Sequence, residues 1–297
     1  MVELGRQLAR AGYHFVTPTP ETHRRVFARR VTARDLRDVF GWSRSFAREL
    51  LGAELFALLV RAGAVREQAG SYVSTVRFSS LGEQLYAHSA YPTVQSDAVF
   101  FGPDTYRFCA FLERLAPRAE RVVDIGCGSG AGGLVAARAA SAKRLTLVDI
   151  NARALALSEV NTCLSGRSDA TEVLHSDVLR DVRGEVDLIV ANPPYMRDQA
   201  ARAYRDGGGA FGEALSVRIV REALDRLAPG GTLLLYTGAA VVAGEDVFFS
   251  AVREYVEHLE HHYEELDPDV FGEELDRPGY ENVERIAAVG LRVTKAA

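Results

Sequence analysis

The sequence predicts an α/β fold: a Rossmann-like, seven-stranded, mostly parallel sheet over residues 98–297, preceded by a smaller, mostly helical domain over 1–97. Three observations carry this expectation. Residues 121–125, Arg-Val-Val-Asp-Ile, read as a short buried strand that runs into Gly126-Cys-Gly-Ser-Gly130 and then a helix over 131–140. Strand patterns recur at 145–149, 171–175 and 186–191. Each ends on polar or special residues: Asp149, Ser176-Asp177 and Asn192-Pro-Pro-Tyr195.

At 297 residues, 47% apolar and 25% charged, the chain has a globular composition and enough apolar material for one large or two ordinary domains. No apolar run approaches the ~20 residues that span a bilayer. Met1-Val-Glu-Leu-Gly-Arg6 lacks the basic-then-apolar pattern of a signal peptide. Cys109, Cys127 and Cys163 are widely spaced and odd in number, so they form neither a zinc pattern nor a disulfide framework. They point to a reducing cytoplasm, and the lack of a spanning apolar run to no membrane. A net charge of -5 argues against non-specific nucleic-acid binding, though not against a local basic patch.

Within 1–97, residues 3–12 and 19–30 carry helical periodicity, with Thr19-Pro20-Glu21 as a helix start. Arg24, Arg25, Arg29, Arg30, Arg34 and Arg37 form either a solvated helix face or a contact surface for RNA or an acidic partner. Helical patterns continue over 32–40, 46–51 and 55–60, and the alternation at 72–78 fits a half-buried strand. This order suggests a winged-helix-like recognition module, an expectation that rests on fold analogy. Residues 79–98 read as a linker. Gly102-Pro103 is turn chemistry, and Asp104 or Thr105 caps a helix over 106–115.

The glycine run alone fits a dinucleotide fingerprint, a plain tight turn or another cofactor loop. Gly126, Gly128 and Gly130 let a ligand approach the backbone closely. Asp124, Asp149 and Asp177 lie at the ends of three successive strands. That placement favours ligand contacts over turn or cap chemistry.

With Asn192-Pro-Pro-Tyr195 ending the fourth strand, the chain resembles the class I S-adenosylmethionine (SAM) dependent methyltransferases. It is most similar to the branch whose Asn-Pro-Pro-Tyr motif methylates planar nitrogens, which includes the release-factor glutamine and small-domain N-methyltransferases. Pro103-Asp104-Thr105 match part of a Pro-Arg-Pro-Asp-Thr-Glu segment of the glutamine enzymes, with Gly102 for the Arg and Tyr106 for the Glu. Asp206-Gly-Gly matches a glycine stretch of theirs ahead of the helix at 213–227. The resemblance covers 98–297 only, and the departures leave the substrate open. It implies SAM as cofactor. Asp149 would accept from the ribose hydroxyls, Asp177 from the adenine amine, and Asp124 would sit near the methionine ammonium. Gly126, Gly128, Gly130, Ile150, Val178, Thr105 and Asn192 would complete the cofactor site, with Cys127 as a small space-filler inside the turn.

The chemistry needs such a motif. An amide or exocyclic amine nitrogen shares its lone pair with a π system and is a poor nucleophile. The Asn192 side-chain carbonyl and the Pro193 backbone carbonyl can each accept one N–H of the target, which aims the lone pair at the methyl group. Pro193 and Pro194 fix φ twice, and Tyr195 offers an aromatic face to a planar target. The expected substrate is a protein glutamine amide, in a release factor or ribosomal protein. The alternative is the exocyclic amine of adenine or guanine in RNA or DNA. A third reading, a SAM- or RNA-binding module without catalysis, is opposed by the intact Asn192 motif.

Beyond the motif, Ala228-Pro-Gly-Gly231 introduces a strand at 232–237, followed by a helix at 247–259 and strands near 262–266 and 286–293. The 205–212 loop reads as a lid, a groove wall or a flexible connection. His258 and His262 would share a helical face if the helix reached them, but no third ligand is at hand and no metal is expected. Residues 264–276 read as an acidic surface loop, or one that gates the site.

Overall fold

The computed structural model describes residues 1–198 and 205–297. The first part holds helices α1 (Val2–Arg10), α2 (Pro20–Ala28), α3 (Leu36–Phe40) and α4 (Gly52–Arg61). Two antiparallel hairpins follow, β1 (Val65–Gln68) with β2 (Ser71–Ser74) and β3 (Val76–Leu81) with β4 (Gln84–Ser89).

The second part contains α5 (Pro103–Leu115), β5 (Arg121–Ile125), α6 (Ala131–Ala139), β6 (Arg144–Asp149), α7 (Ala152–Leu164), β7 (Thr171–His175) and β8 (Val186–Ala191). It ends with α8 (Ala214–Arg226), β9 (Leu227–Val242), the short β10 (Glu245–Asp246), α9 (Val247–Val256), β11 (Glu260–Asp267) and β12 (Arg285–Thr294). The sheet order is β11-β12-β9-β8-β5-β6-β7, with β10 paired to β9. Strands β7, β6, β5, β8 and β9 run parallel, and β12 is antiparallel to both its neighbours. This is the predicted α/β, mostly parallel sheet. Val122, Val123 and Ile125 are buried on both faces of β5, as an inner parallel strand covered by helices requires.

Apolar clusters fill both faces of the sheet, and a third lies under the N-terminal helices. The third includes Ala154 and Leu157 of α7, so the two parts share a core. Asn161 of α7 joins them again. Its side chain accepts from the Ala87 N–H at 2.7 Å and donates to the carbonyls of Ala87 at 2.9 Å and Ser129 at 2.8 Å.

Several expectations need correction. Residues 79–98 are no plain linker, because β3 and β4 run through them. The strand expected at 72–78 breaks at Thr75, and its halves pair with different partners. Helix α5 begins at Pro103 rather than 106, and its N-cap is Gly102; the Thr105 hydroxyl accepts from the Gly102 N–H at 3.2 Å. Helix α9 ends at Val256 and His262 lies on β11, so His258 and His262 share no helical face. Glu264 and Glu265 belong to β11, leaving a shorter loop than predicted. In the basic region, Arg24 and Arg25 pair with Glu21, and Arg30 and Arg44 pair with Asp38. Among the described residues no helix is long and apolar enough to cross a membrane.

Candidate active site

A cavity of about 250 Å³ opens at the carboxyl ends of β5, β6, β7 and β8, where open α/β sheets take their ligands. Its floor is the glycine turn. Gly126 and Gly128 adopt φ of 66° and 53°, a left-handed conformation that side chains disfavour. Both line the cavity, as does Cys127 between them. Burial pushes the Cys127 thiol well above its ordinary pKa, which keeps it protonated and suits a space-filler. Gly130 stands apart from the expected set. It is the N-cap of α6 and is absent from the cavity wall; a Cβ there would meet Leu147 at 3.0 Å.

The three strand-end acids all face the cavity. Asp149 accepts from the N–H of Gly128 at 2.9 Å through Oδ2 and from Asn151 at 2.8 Å through Oδ1, so it also shapes the turn. Burial raises its pKa, against those backbone donors. Asp124 is 1% exposed and accepts from the Gly133 N–H at 2.7 Å. Burial outweighs that bond and pushes its carboxyl up to about 7. Asp177 is held differently: Arg218 of α8 donates to both its oxygens, at 2.9 and 3.0 Å, and lowers its pKa. That guanidinium partner lay 41 residues ahead and carried no local signal. Ile150, 55% exposed, and Val178 complete this side, with Thr105 on the wall from α5.

Asn192, Pro193, Pro194 and Tyr195 line the same cavity. Asn192 is half-buried. Tyr195 is 8% exposed, so little of the expected stacking face is open. Its hydroxyl donates to Asp104, and its ring lies over Gly238, where a Cβ would stand 2.3 Å from Cδ2. Gly238→Ala is expected to cost about 1–3 kcal/mol by overpacking against this tethered ring. Thermal denaturation checks it: a lowered Tm is expected.

The 205–212 loop braces the motif backbone. The Met196 N–H donates to the Arg205 carbonyl at 3.0 Å, and the Gly207 N–H to the Met196 carbonyl at 2.9 Å. A Cβ on Gly212 would stand 2.2 Å from the Tyr195 carbonyl oxygen, so only glycine permits the approach. Phe100 and Phe108 also reach the cavity and were not foreseen, while Arg205 and Phe271 reach it from the segments read as a groove wall and as a gating loop. Phe271 packs edge-on against Tyr195, with centroids 6.1 Å apart. Asp104, expected as a cap or as part of the Pro103-Asp104-Thr105 match, is 4% exposed and turned inward.

Known proteins align with this domain. Residues 108–254 match the family described as methyltransferase small domain. A release factor glutamine methyltransferase of Borreliella burgdorferi is 29% identical over 126 residues, covering 39% of this chain and 44% of that protein. A ribosomal RNA small subunit methyltransferase C of Chromohalobacter salexigens is 38% identical over 124 residues, covering 41% of this chain and 33% of that one. The match thus spans less than half the length of either relative. A putative SAM-dependent methyltransferase from Streptococcus mutans shares the fold at a TM-score of 0.52 and 16% identity, over 77% of this chain and 56% of that one. The cavity, its glycine turn and its Asn-Pro-Pro-Tyr wall lie in or against this matched region, which is similar to the methyltransferase small domain family.

Proposed function

We propose that the chain transfers a methyl group from SAM to a planar NH2 nitrogen of a macromolecule, with a protein glutamine amide as acceptor. The observation that carries this is the juxtaposition, on one cavity, of the three strand-end acids with Asn192 and Pro193. The residues present fit SAM. Space above Gly126 is open, with nothing among the described residues beyond its chain neighbours within 4 Å of where a Cβ would stand, and acidic side chains line the cavity for hydroxyl, amine and ammonium donors. Asp149 holds the ribose hydroxyls, Asp177 the adenine amine and Asp124 the methionine ammonium. Bound there, SAM supplies an electrophilic methyl on a sulfonium. Asn192 and Pro193 take the two N–H groups of the acceptor and hold its lone pair in line, an effect worth up to ~7–11 kcal/mol when the near-attack geometry is met. No strong base is needed, since the proton can leave after the methyl arrives. A reducing cytoplasm suits the free thiols of Cys109, Cys127 and Cys163.

Ribosomal RNA is the second reading, favoured by the higher identity to the ribosomal RNA relative, 38% against 29%. Labelled SAM and the full chain, supplied to cell extract with and without RNase, separate the two. Label in a protein band that survives RNase is expected; label lost with RNase transfers the assignment to RNA.

The Asp124 shift has a consequence for binding. A bound ammonium favours the ionised carboxyl, so below about pH 7 binding must release a proton. SAM affinity is expected to fall about tenfold per pH unit below 7 and to level off above it. Calorimetry between pH 5.5 and 8.5 tests this, as does the dependence of the heat on buffer ionisation. In the ligand-free chain the sign reverses. The folded pKa lies above the ordinary 3.8, so this group's stabilisation is complete below 3.8 and is lost as pH rises through about 7.

A further inference from the structure

The fourth residue of the Asn-Pro-Pro-Tyr motif is held from outside it. The Tyr195 hydroxyl donates to Oδ2 of Asp104 at 2.6 Å, and the Tyr236 hydroxyl, from β9, donates to Oδ1 at 2.8 Å. All three side chains are buried, at 8%, 4% and 0% exposure for Tyr195, Asp104 and Tyr236. Arg107 lies 3.2 Å from the same carboxyl and 2.8 Å from Asp267 at the end of β11. One carboxyl therefore ties the first turn of α5 to the motif, to β9 and to the segment that carries Phe271. Hydrogen bonds to a carboxylate in such a site are short and directional, and an isolated buried hydroxyl would be costly to leave unpaired.

Fixing Tyr195 fixes more than its own ring. Strand β8 ends at Ala191, and two prolines with locked φ separate Asn192 from Tyr195. With both ends anchored, the stiff segment leaves Asn192 little freedom to turn.

We propose that Asp104 is a positioning residue, which sets the direction of the Asn192 amide and the Pro193 carbonyl by accepting the hydroxyls of Tyr195 and Tyr236. This rests on the assignment of Asn192 as the acceptor-binding group. Asp104 acts through the motif rather than on the acceptor, and its place beside Thr105 couples the cofactor wall to the acceptor wall.

Two near-isosteric variants of the full chain test it, Asp104→Asn and Tyr195→Phe, with their double variant. The first measurement is the Asn192 side-chain NH2 resonance with SAM bound. Both single variants are expected to shift or split it, and Asp104→Asn should add nothing in the Tyr195→Phe background. The second is transfer of labelled methyl from preloaded enzyme to the extract fraction that the wild type labels. It is expected to fall about 10²-fold, as misplacement by roughly 1 Å does, while SAM affinity stays within about twofold. An unchanged Asn192 resonance in both folded single variants overturns the proposal, and so do additive losses in the double variant. Should the wild type label nothing, the methyl-transfer reading fails, while the resonance still decides the role of Asp104.

Discussion

Asn192→Ala is expected to slow methyl transfer by about 10²–10³-fold, with SAM affinity within about twofold of wild type. The side chain is half-buried on the cavity wall. It lines the same cavity as the strand-end carboxylates, and its amide is proposed to serve the acceptor, so its loss should be felt in rate more than in binding. The alanine variant keeps Pro193, Pro194 and the Tyr195–Asp104 bond, so the wall itself should survive. What disappears is the group proposed to accept one N–H of the substrate. The nitrogen then keeps its lone pair in the π system and is free to rotate out of line. Single-turnover transfer from enzyme preloaded with labelled SAM measures the step directly. Undiminished transfer would remove Asn192 from the chemistry.

The strands and turns that build the cofactor side were legible because their signals are local. Strands β5, β6 and β8 are mostly apolar strands of five or six residues that end on or against glycine, aspartate or Asn-Pro. The hairpin of β3 and β4 was missed for a physical reason. Ser79, Ser80, His88 and Ser89 are all buried: Ser79 pairs with Thr17 and His88, and the Ser80 and Ser89 hydroxyls accept from the N–H groups of Phe15 and Val99. A strand that buries polar residues shows no alternation of apolar and polar, and so reads as loop.

The acceptor side was less legible than the cofactor side. Asn192-Pro-Pro-Tyr195 is contiguous and was found. The partners that hold it are not contiguous: Asp104 meets Tyr195 across 91 residues and Tyr236 across 132. Asp104 and Thr105 follow a proline at a helix start, so capping is the local reading. Thr105 does cap, but Asp104 faces inward because the sheet brings two tyrosines over it. Phe271 was hidden differently. It adopts φ 58°, which its sequence neighbours do not announce. A bulky side chain there is strained, and such strain persists where surrounding packing over-determines it.

Asp149→Ala is expected to weaken SAM binding by about 10²-fold or more, since hydrogen bonds to a charged group contribute about 1.5–3 kcal/mol each. The carboxylate has two tasks that the geometry makes inseparable. It accepts the Gly128 and Asn151 N–H groups, which holds the left-handed glycine turn against the end of β6. Its remaining lone pairs face the cavity, where the ribose hydroxyls are assigned. Alanine removes both at once, leaving two backbone donors without their partner. Asp149→Asn retains one acceptor oxygen and should fall between the wild type and alanine. Calorimetry at pH 8, above the Asp124 transition at about 7, isolates the effect. Both Asp149 oxygens also accept a backbone N–H in the turn, so asparagine sets an NH2 against one of those donors, and Tm measured beside affinity separates loss of the turn from loss of the ribose contact. Equal affinities across the three would detach Asp149 from the cofactor. A drop in both variants, matched by an unchanged rate of transfer at saturating SAM, would separate the cradle from the Asn192 wall as two halves of one site.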